Sequence, residues 1–308
     1  MGARIPIPPA LVGRAILSSE IPAYGLKRGR LRGADVAHPF HGVSAVNVDT
    51  DTILGRCRAY EPVLRDGQWF SHVTALELFG APLPADMLDQ PIHLVVAAPR
   101  TPPRSRGVCG HVFASNTFEV GIRIGYPVVS AADAWVQSAT LLGREDLVAA
   151  ADFLVTGRRV GRNREAPPAT LEQLAAAAMR TRGSRGAAKV RWALPRVRIG
   201  PDSRPESLLR LLLSAARFPT PAIRHSVVVE GGLVFHPDLT FVEAQVVLEY
   251  EGDIHRTDRA TWLDDIERRE LVEAAGWRVV RVTSRDLFEH PELFVARLRR
   301  IMRGRTRR

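Results

Sequence analysis

Cysteine is nearly absent: Cys57 and Cys109 are the only two in 308 residues. They form no C-x-x-C pair, which argues against a zinc ribbon or a disulfide framework. A chain without such staples is suited to a reducing cytoplasm, the expected location. Long hydrophobic runs are missing too. No stretch approaches the ~18 apolar residues of a membrane span, so no membrane partner is expected. The opening MGARIPIPPALVGRAIL is interrupted by prolines and a second arginine and is followed by no small-residue cleavage site. It reads as mature sequence rather than a signal peptide. Lysine is the third scarcity, with Lys27 and Lys189 the only two among 43 basic residues. The net charge of +10 is therefore carried by arginine, a bias that fits genomic base composition as well as selection for binding.

What is present is enough for two domains at roughly 150 residues each. Segment Arg180 to Arg198 holds seven basic residues and no acid, and Arg297 to Arg308 holds seven arginines and no acid. Both could track a phosphate backbone, because clustered cations release counterions on binding nucleic acid. A solvated helix face and a frayed tail are the plainer readings.

The pattern predicts an α/β chain. Residues 1–156 read as a mixed α/β domain with an irregular start. Strands are expected near 43–48, 91–98, 107–113 and 118–123. Helices are expected from Ser71 to Leu78, Ser130 to Leu142 and Glu145 to Val155, with Ser71 and Ser130 as N-caps. Residues 157–202 read as a basic linker with helices: Gly157 to Pro168 is rich in Gly, Pro and Arg, and Thr170 and Gln173 have capping-box spacing. Residues 203–308 are better patterned. Ser203-Arg-Pro-Glu206 sets a cap, a proline and a first-turn acid ahead of a helix to Ala216. Strands follow at Ile223 to Val229, Leu233 to Phe241 and Gln245 to Glu251, with Gly231-Gly232 as a hairpin turn. A helix from Ala260 to Ala275 is stopped by Gly276, and a strand runs from Trp277 to Thr283. Residues 284–302 close the domain helically, giving the order α-β-β-β-α-β-α.

Chemistry concentrates in this last block. Asp238 is expected within the second strand, and Glu249 and Glu251 point the same way from the third. If those strands pair, Asp238 approaches Glu249. Carboxylates brought together repel unless a cation sits among them or some are protonated. Oxygen donors favour Mg²⁺ or Mn²⁺ over zinc, and a hard divalent ion can polarise a phosphodiester and activate water.

The ordered motifs Glu206-Ser207-Leu208-Leu209-Arg210, Asp238, Glu249-Tyr250-Glu251-Gly252-Asp253-Ile254-His255-Arg256, Asp265-Ile266-Glu267-Arg268 and Gly276-Trp277-Arg278-Val279-Val280-Arg281 resemble the PD-(D/E)XK nuclease superfamily. The nearer likeness is to the very-short-patch-repair-endonuclease-like domain of unknown function. The resemblance covers about 203–290 and implies a restriction-endonuclease-like fold acting on DNA. It implies Asp238 and Glu249 as metal ligands with Glu206 reaching the same site, and His255 as a general acid or base. It also implies Arg256, Arg268 and Arg281 as phosphate-binding residues, with Asp265 in support. Asp265 and Arg268, three apart on a helix, equally read as a surface ion pair. Glu251 stands where the superfamily has lysine. It cannot supply that positive charge, and is left to bind metal or act as a base.

Ser71-His72-Val73-Thr74-Ala75, with Gly80 and Pro127 to Trp135, is similar to AbiEi-type antitoxin proteins over 60–155. That likeness implies a regulatory, DNA-associated role with a toxin as partner. Two functions are therefore expected: a metal-dependent DNA endonuclease, or a non-catalytic DNA-binding regulator that keeps a nuclease fold.

Overall fold

The computed structural model of the chain describes residues 5–251, apart from Leu88 and Arg162, and residues 269–305. The chain is α/β and divides into two units: Met1–Ala150 with Pro168–Pro195, and Ala151–Pro167 with Arg196–Arg308. The stretch that reads as one linker is thus split between them. Among the described residues, no helix is long and apolar enough to cross a membrane.

In the first unit, the stretch expected to be irregular holds β1 (Arg14–Leu17) and β2 (Val36–Ala37), which flank β3 (Val43–Val46) in an antiparallel sheet. After α1 (Ile53–Tyr60) come β4 (Gln68–Phe70), α2 (His72–Leu78), β5 (Ile92–Ala97), β6 (Arg104–Ser105), β7 (Val108–Phe113), β8 (Val120–Arg123) and β9 (Tyr126–Val129). These strands form a six-stranded mixed sheet in the order β6-β7-β5-β4-β9-β8, with β5 and β7 parallel. Phe70, Ile92, Leu94 and Val128 are buried in its core with Ile53 and Cys57. The helices α3 (Ala131–Ser138), α4 (Arg144–Thr156, its residues from Ala151 on counted in the second unit), α5 (Leu171–Arg180) and α6 (Ala187–Ala193) follow. Ser130 caps α3 through the Asp133 amide, and Thr170 and Gln173 complete a capping box on α5. Ser71 differs: it occupies the N-cap position of α2 but makes no side-chain cap bond. Its hydroxyl lies 3.0 Å from His72 Nδ1 instead.

The basic stretch 180–198 is partly structural. Arg180 meets Asp133 at 2.8 Å and Glu119 at 3.1 Å, and Lys189 donates to the Leu142 carbonyl at 2.6 Å. Arg182, Arg185 and Arg191 remain exposed.

In the second unit, residues 157–168 are not a free linker. They carry a hairpin of β10 (Arg159–Val160) and β11 (Asn163–Arg164). The α7 helix (Arg204–Ala215), capped by Ser203, leads into the sheet strands. The expected strand over 223–229 is two short ones, β12 (Ala222–Ile223) and β13 (Val227–Val228). The expected strand over 233–241 is likewise broken into β14 (Val234–Phe235) and β15 (Leu239–Phe241). Pro237 has no N–H for a ladder. So β13 and β14 pair as a separate hairpin around Gly231 and Gly232, both with positive φ, while β15 joins the main sheet. That sheet runs β12-β15-β16-β17, with β16 at Val246–Glu251 and β17 at Arg278–Thr283. The pairs β12/β15 and β15/β16 are antiparallel and β16/β17 is parallel.

Both faces of this sheet are covered. Val246 and Leu248 of β16 and Val280 and Val282 of β17 pack with Leu209 and Leu213 of α7. The same cluster includes Phe294 and Leu298 of the last helix, α8 (Pro291–Arg305). Val247 and Val279 pack on the other face with Val272, in residues 269–274, which are helical. Burial on two faces explains the continuous apolar run at the start of β16. Gly276, at φ 86°, follows that helix, as the sequence predicts. The arginine tail is docked rather than frayed as far as it is described. Arg297 reaches Asp286 at 3.0 Å, Arg299 the Ala216 carbonyl at 2.9 Å, and Arg305 the carbonyls of Gln245 and Gly276.

Candidate functional site

Strand parity decides which acids share a face. Leu239 is registered with Leu248, and both belong to the cluster under α7. The register ends at that pair: Asp238 precedes β15 by one residue and Glu249 follows Leu248 on β16, on the face opposite Leu248. Asp238 is therefore at the bend just before β15, not within a strand as the sequence suggests. Its placement is fixed by two bonds. Oδ2 accepts from the Tyr250 amide at 2.8 Å, and the Asp238 carbonyl accepts from the Arg224 amide at 3.4 Å. Arg224 holds a left-handed backbone, φ 53°, an uncommon state for a side-chain-bearing residue.

Glu249 is registered with Arg281 across the parallel pair, so Glu249, Glu251 and Arg281 present to one face. The Arg281 guanidinium meets the Glu251 carboxylate at 2.7 Å. Sequence reading gives these residues separate roles, and the structure makes them an ion pair.

Glu206, in the first turn of α7, is buried. It accepts from the Asp202 amide and the Ser203 hydroxyl, both at 2.8 Å. Burial first, and the negative charge of Asp238 second, push its carboxyl up to about 7. Glu206 and Asp238 thus feel one another as two carboxylates sharing a site do. Beside them, Asp202 collects three arginines: Arg159 Nη1 at 3.2 Å, Arg164 Nη2, and Arg224 Nη1 at 3.3 Å. None of the three stands out in the sequence. Two lie in the supposed linker, and only the fold brings them to the acids. His255, Arg256, Asp265 and Arg268 lie outside the described residues.

Sequence reasoning also passes over a second cluster, in the first unit. Among the described residues, the one set of three metal-ligating side chains with ligand atoms within 4.8 Å of one another is His72, His93 and His111. Glu206, Asp238 and Glu249 do not form so tight a set. Each histidine sits in an apolar stretch and reads as a core residue on its own. The only signal is their coincidence on elements that prove to be neighbours: the start of α2 and the paired strands β5 and β7.

No family model matches the chain, and no solved structure does. It is similar to two proteins of Mycobacterium tuberculosis, uncharacterized protein MT2308 of strain CDC 1551 / Oshkosh and uncharacterized protein Rv2248 of strain H37Rv. Each is 27% identical over 174 residues, which is 56% of this chain and 61% of the relative's length. The chain thus spans less than two thirds of the length of the curated relatives it matches, and their names assign no activity.

Proposed function

We propose that this chain is a metal-dependent DNA endonuclease whose phosphodiester-hydrolysing face is built on β15, β16 and the start of α7. One observation carries the reading. Asp238, just before β15, is bonded to the Tyr250 amide next to Glu249 on β16, and the buried Glu206 is close enough to Asp238 for its carboxyl to be pushed up to about 7. The element order of the second unit also supports it. A helix, three sheet strands, a helical stretch and a fourth strand parallel to the third follow the sequence expected of a restriction-endonuclease-like core.

The donor chemistry suits a hard divalent ion. The donors are carboxylate oxygens, and mutual repulsion is what such an ion relieves. Asp238, Glu249 and Glu206 would hold Mg²⁺ or Mn²⁺, which when bound would polarise the phosphate and lower the pKa of a water. Arg159, Arg164 and Arg224 bind the DNA backbone with guanidinium forks suited to phosphate. Arg281, held by Glu251, brings a positive charge to the acid face from the neighbouring strand. It stands near the position where the superfamily's lysine would be.

The second reading, a non-catalytic DNA-binding regulator with a toxin as partner, draws on the Glu251–Arg281 pair, which leaves that position without net charge. One experiment separates the two. Purified chain is incubated with intact duplex, mismatched duplex and single-stranded DNA in Mg²⁺ or Mn²⁺. The nuclease reading expects nicking that D238A and E249A abolish. Absence of cleavage on all three substrates with both metals removes it. Salt-sensitive DNA binding that survives D238A then favours the regulator, and no binding at low salt removes both.

A further inference from the structure

We propose that His72, His93 and His111 form a binding site for a transition-metal cation of the Zn²⁺ class, separate from the carboxylate face of the second unit. The strands β5 and β7 run parallel with Val95 registered to His111 and His93 to Cys109. His93 and His111 therefore share one face of the sheet, with His93 Nδ1 2.9 Å from His111 Nε2. His72 reaches them from the start of α2, where its backbone is left-handed at φ 52°. A residue with a Cβ adopts that conformation at a cost of about 1–2 kcal/mol, and such strain gathers at working sites. Here it sets the His72 ring over His111, with centroids 3.8 Å apart and planes 22° from parallel.

The distances suit one ion. Nitrogens bound at about 2.0–2.1 Å to a tetrahedral zinc stand about 3.3 Å from one another. The His93–His111 pair is already within a few tenths of that separation, and no pair in the set exceeds 4.8 Å.

The donors of the pocket are three imidazoles. Burial holds all three imidazoles below their ordinary titration range, His93 at about 4 and His72 well below normal. A neutral imidazole is the form that ligates metal. Neutral nitrogen donors favour zinc over Mg²⁺ or Ca²⁺. Around them, the Ser71 hydroxyl orients His72 through Nδ1, and Thr74 Oγ1 accepts from the His93 amide at 2.9 Å, tying α2 to β5. Such outer partners fix ring orientation in metal sites. His72 and His93 are buried while His111 is half-buried, so an ion enters past His111 and keeps an exchangeable fourth position on that side. Three protein ligands and one open position are the ligand count of zinc sites that bind water or substrate.

The test uses the full chain stripped with chelator. Zn²⁺ is titrated by calorimetry, and Co²⁺ is followed by its visible absorption. The expected result is saturable binding of one ion per chain with a tetrahedral, nitrogen-donor cobalt spectrum. In H111A, where the side chain is half-exposed and the fold is least at risk, affinity falls by at least about 100-fold, more than loss of an outer partner costs. With excess Mg²⁺ present to fill the carboxylate face, Zn²⁺ binds as before. The proposal is overturned if the wild-type chain shows no saturable binding. It is also overturned if folded H111A binds unchanged, or if cobalt shows a sulfur charge-transfer band.

Discussion

Arg210 of α7 donates to the Asp152 carboxylate at 2.7 Å, and both side chains are almost wholly buried. Asp152 also accepts from the Ser207 hydroxyl and the Arg198 amide, each at 2.7 Å. The motif Glu206-Ser207-Leu208-Leu209-Arg210 therefore divides its labour: Glu206 faces the acids, while Ser207 and Arg210 anchor the helix. Burial still raises the Asp152 carboxyl above its ordinary range, with Arg210 opposing. Removing one partner of a buried pair strands the other, at about 3–5 kcal/mol. D152A should lose that much in urea unfolding, and D152L/R210M should recover most of it. An unchanged midpoint in D152A would contradict this account.

Glu206 predicts a pH dependence of stability. Its folded carboxyl titrates near 7, against an ordinary value of 4.5. Between those values the folded state binds more protons than the unfolded one, so stability falls as pH rises through the window and levels off above about 7. The loss is up to about 3 kcal/mol at roughly 1.4 kcal/mol per unit. E206Q should lack this slope in unfolding curves measured from pH 4 to 9. Adding Mg²⁺ above pH 7 should stabilise the wild type and not the variant.

Much of the second unit is legible in sequence because local chemistry and tertiary structure agree there. Ser203 caps, Gly276 ends a helix, and the alternation of β16 states its faces. Legibility fails where a long-range partner decides. Arg159 and Arg164 look like linker residues until Asp202 is beside them. Asp238 reads as mid-strand because Pro237, the residue that breaks the strand, is short of a signal strong enough to split two apolar runs. The three histidines sit on three elements, and only the parallel pairing of β5 with β7 makes them one group.

Arg281 and Glu251 are each more than one third exposed, at 35% and 41%. Such a pair contributes under about 1 kcal/mol to stability. R281A should therefore unfold within about 1 kcal/mol of the wild type. If the acid face cleaves DNA, the same variant should lose about 100-fold in nicking rate, as when a charge-stabilising donor is removed. Equal loss of stability and activity would mark the pair as structural only.

The arginines on Asp202 should appear in DNA binding rather than in folding. R164A and R224A are each expected to weaken binding to all sequences alike and to lower the salt dependence of log K by about one. Fluorescence anisotropy across a salt series measures both. A steep slope unchanged in the two variants would place the DNA elsewhere.

The interleaving of the two units bears on how the acid face can be inherited or isolated. A fragment cut at residue 203 keeps Glu206, Asp238 and Glu249, yet leaves Asp152, Arg159 and Arg164 behind. Arg210 would then carry a charge into the protein interior with no counterpart, and Arg224 would be parted from Asp202, which stays behind with Arg159 and Arg164. The second unit is therefore not a detachable module. One scission cannot liberate it, and an ancestor that acquired it in one piece had to bring residues 151–167 along or evolve replacements for them.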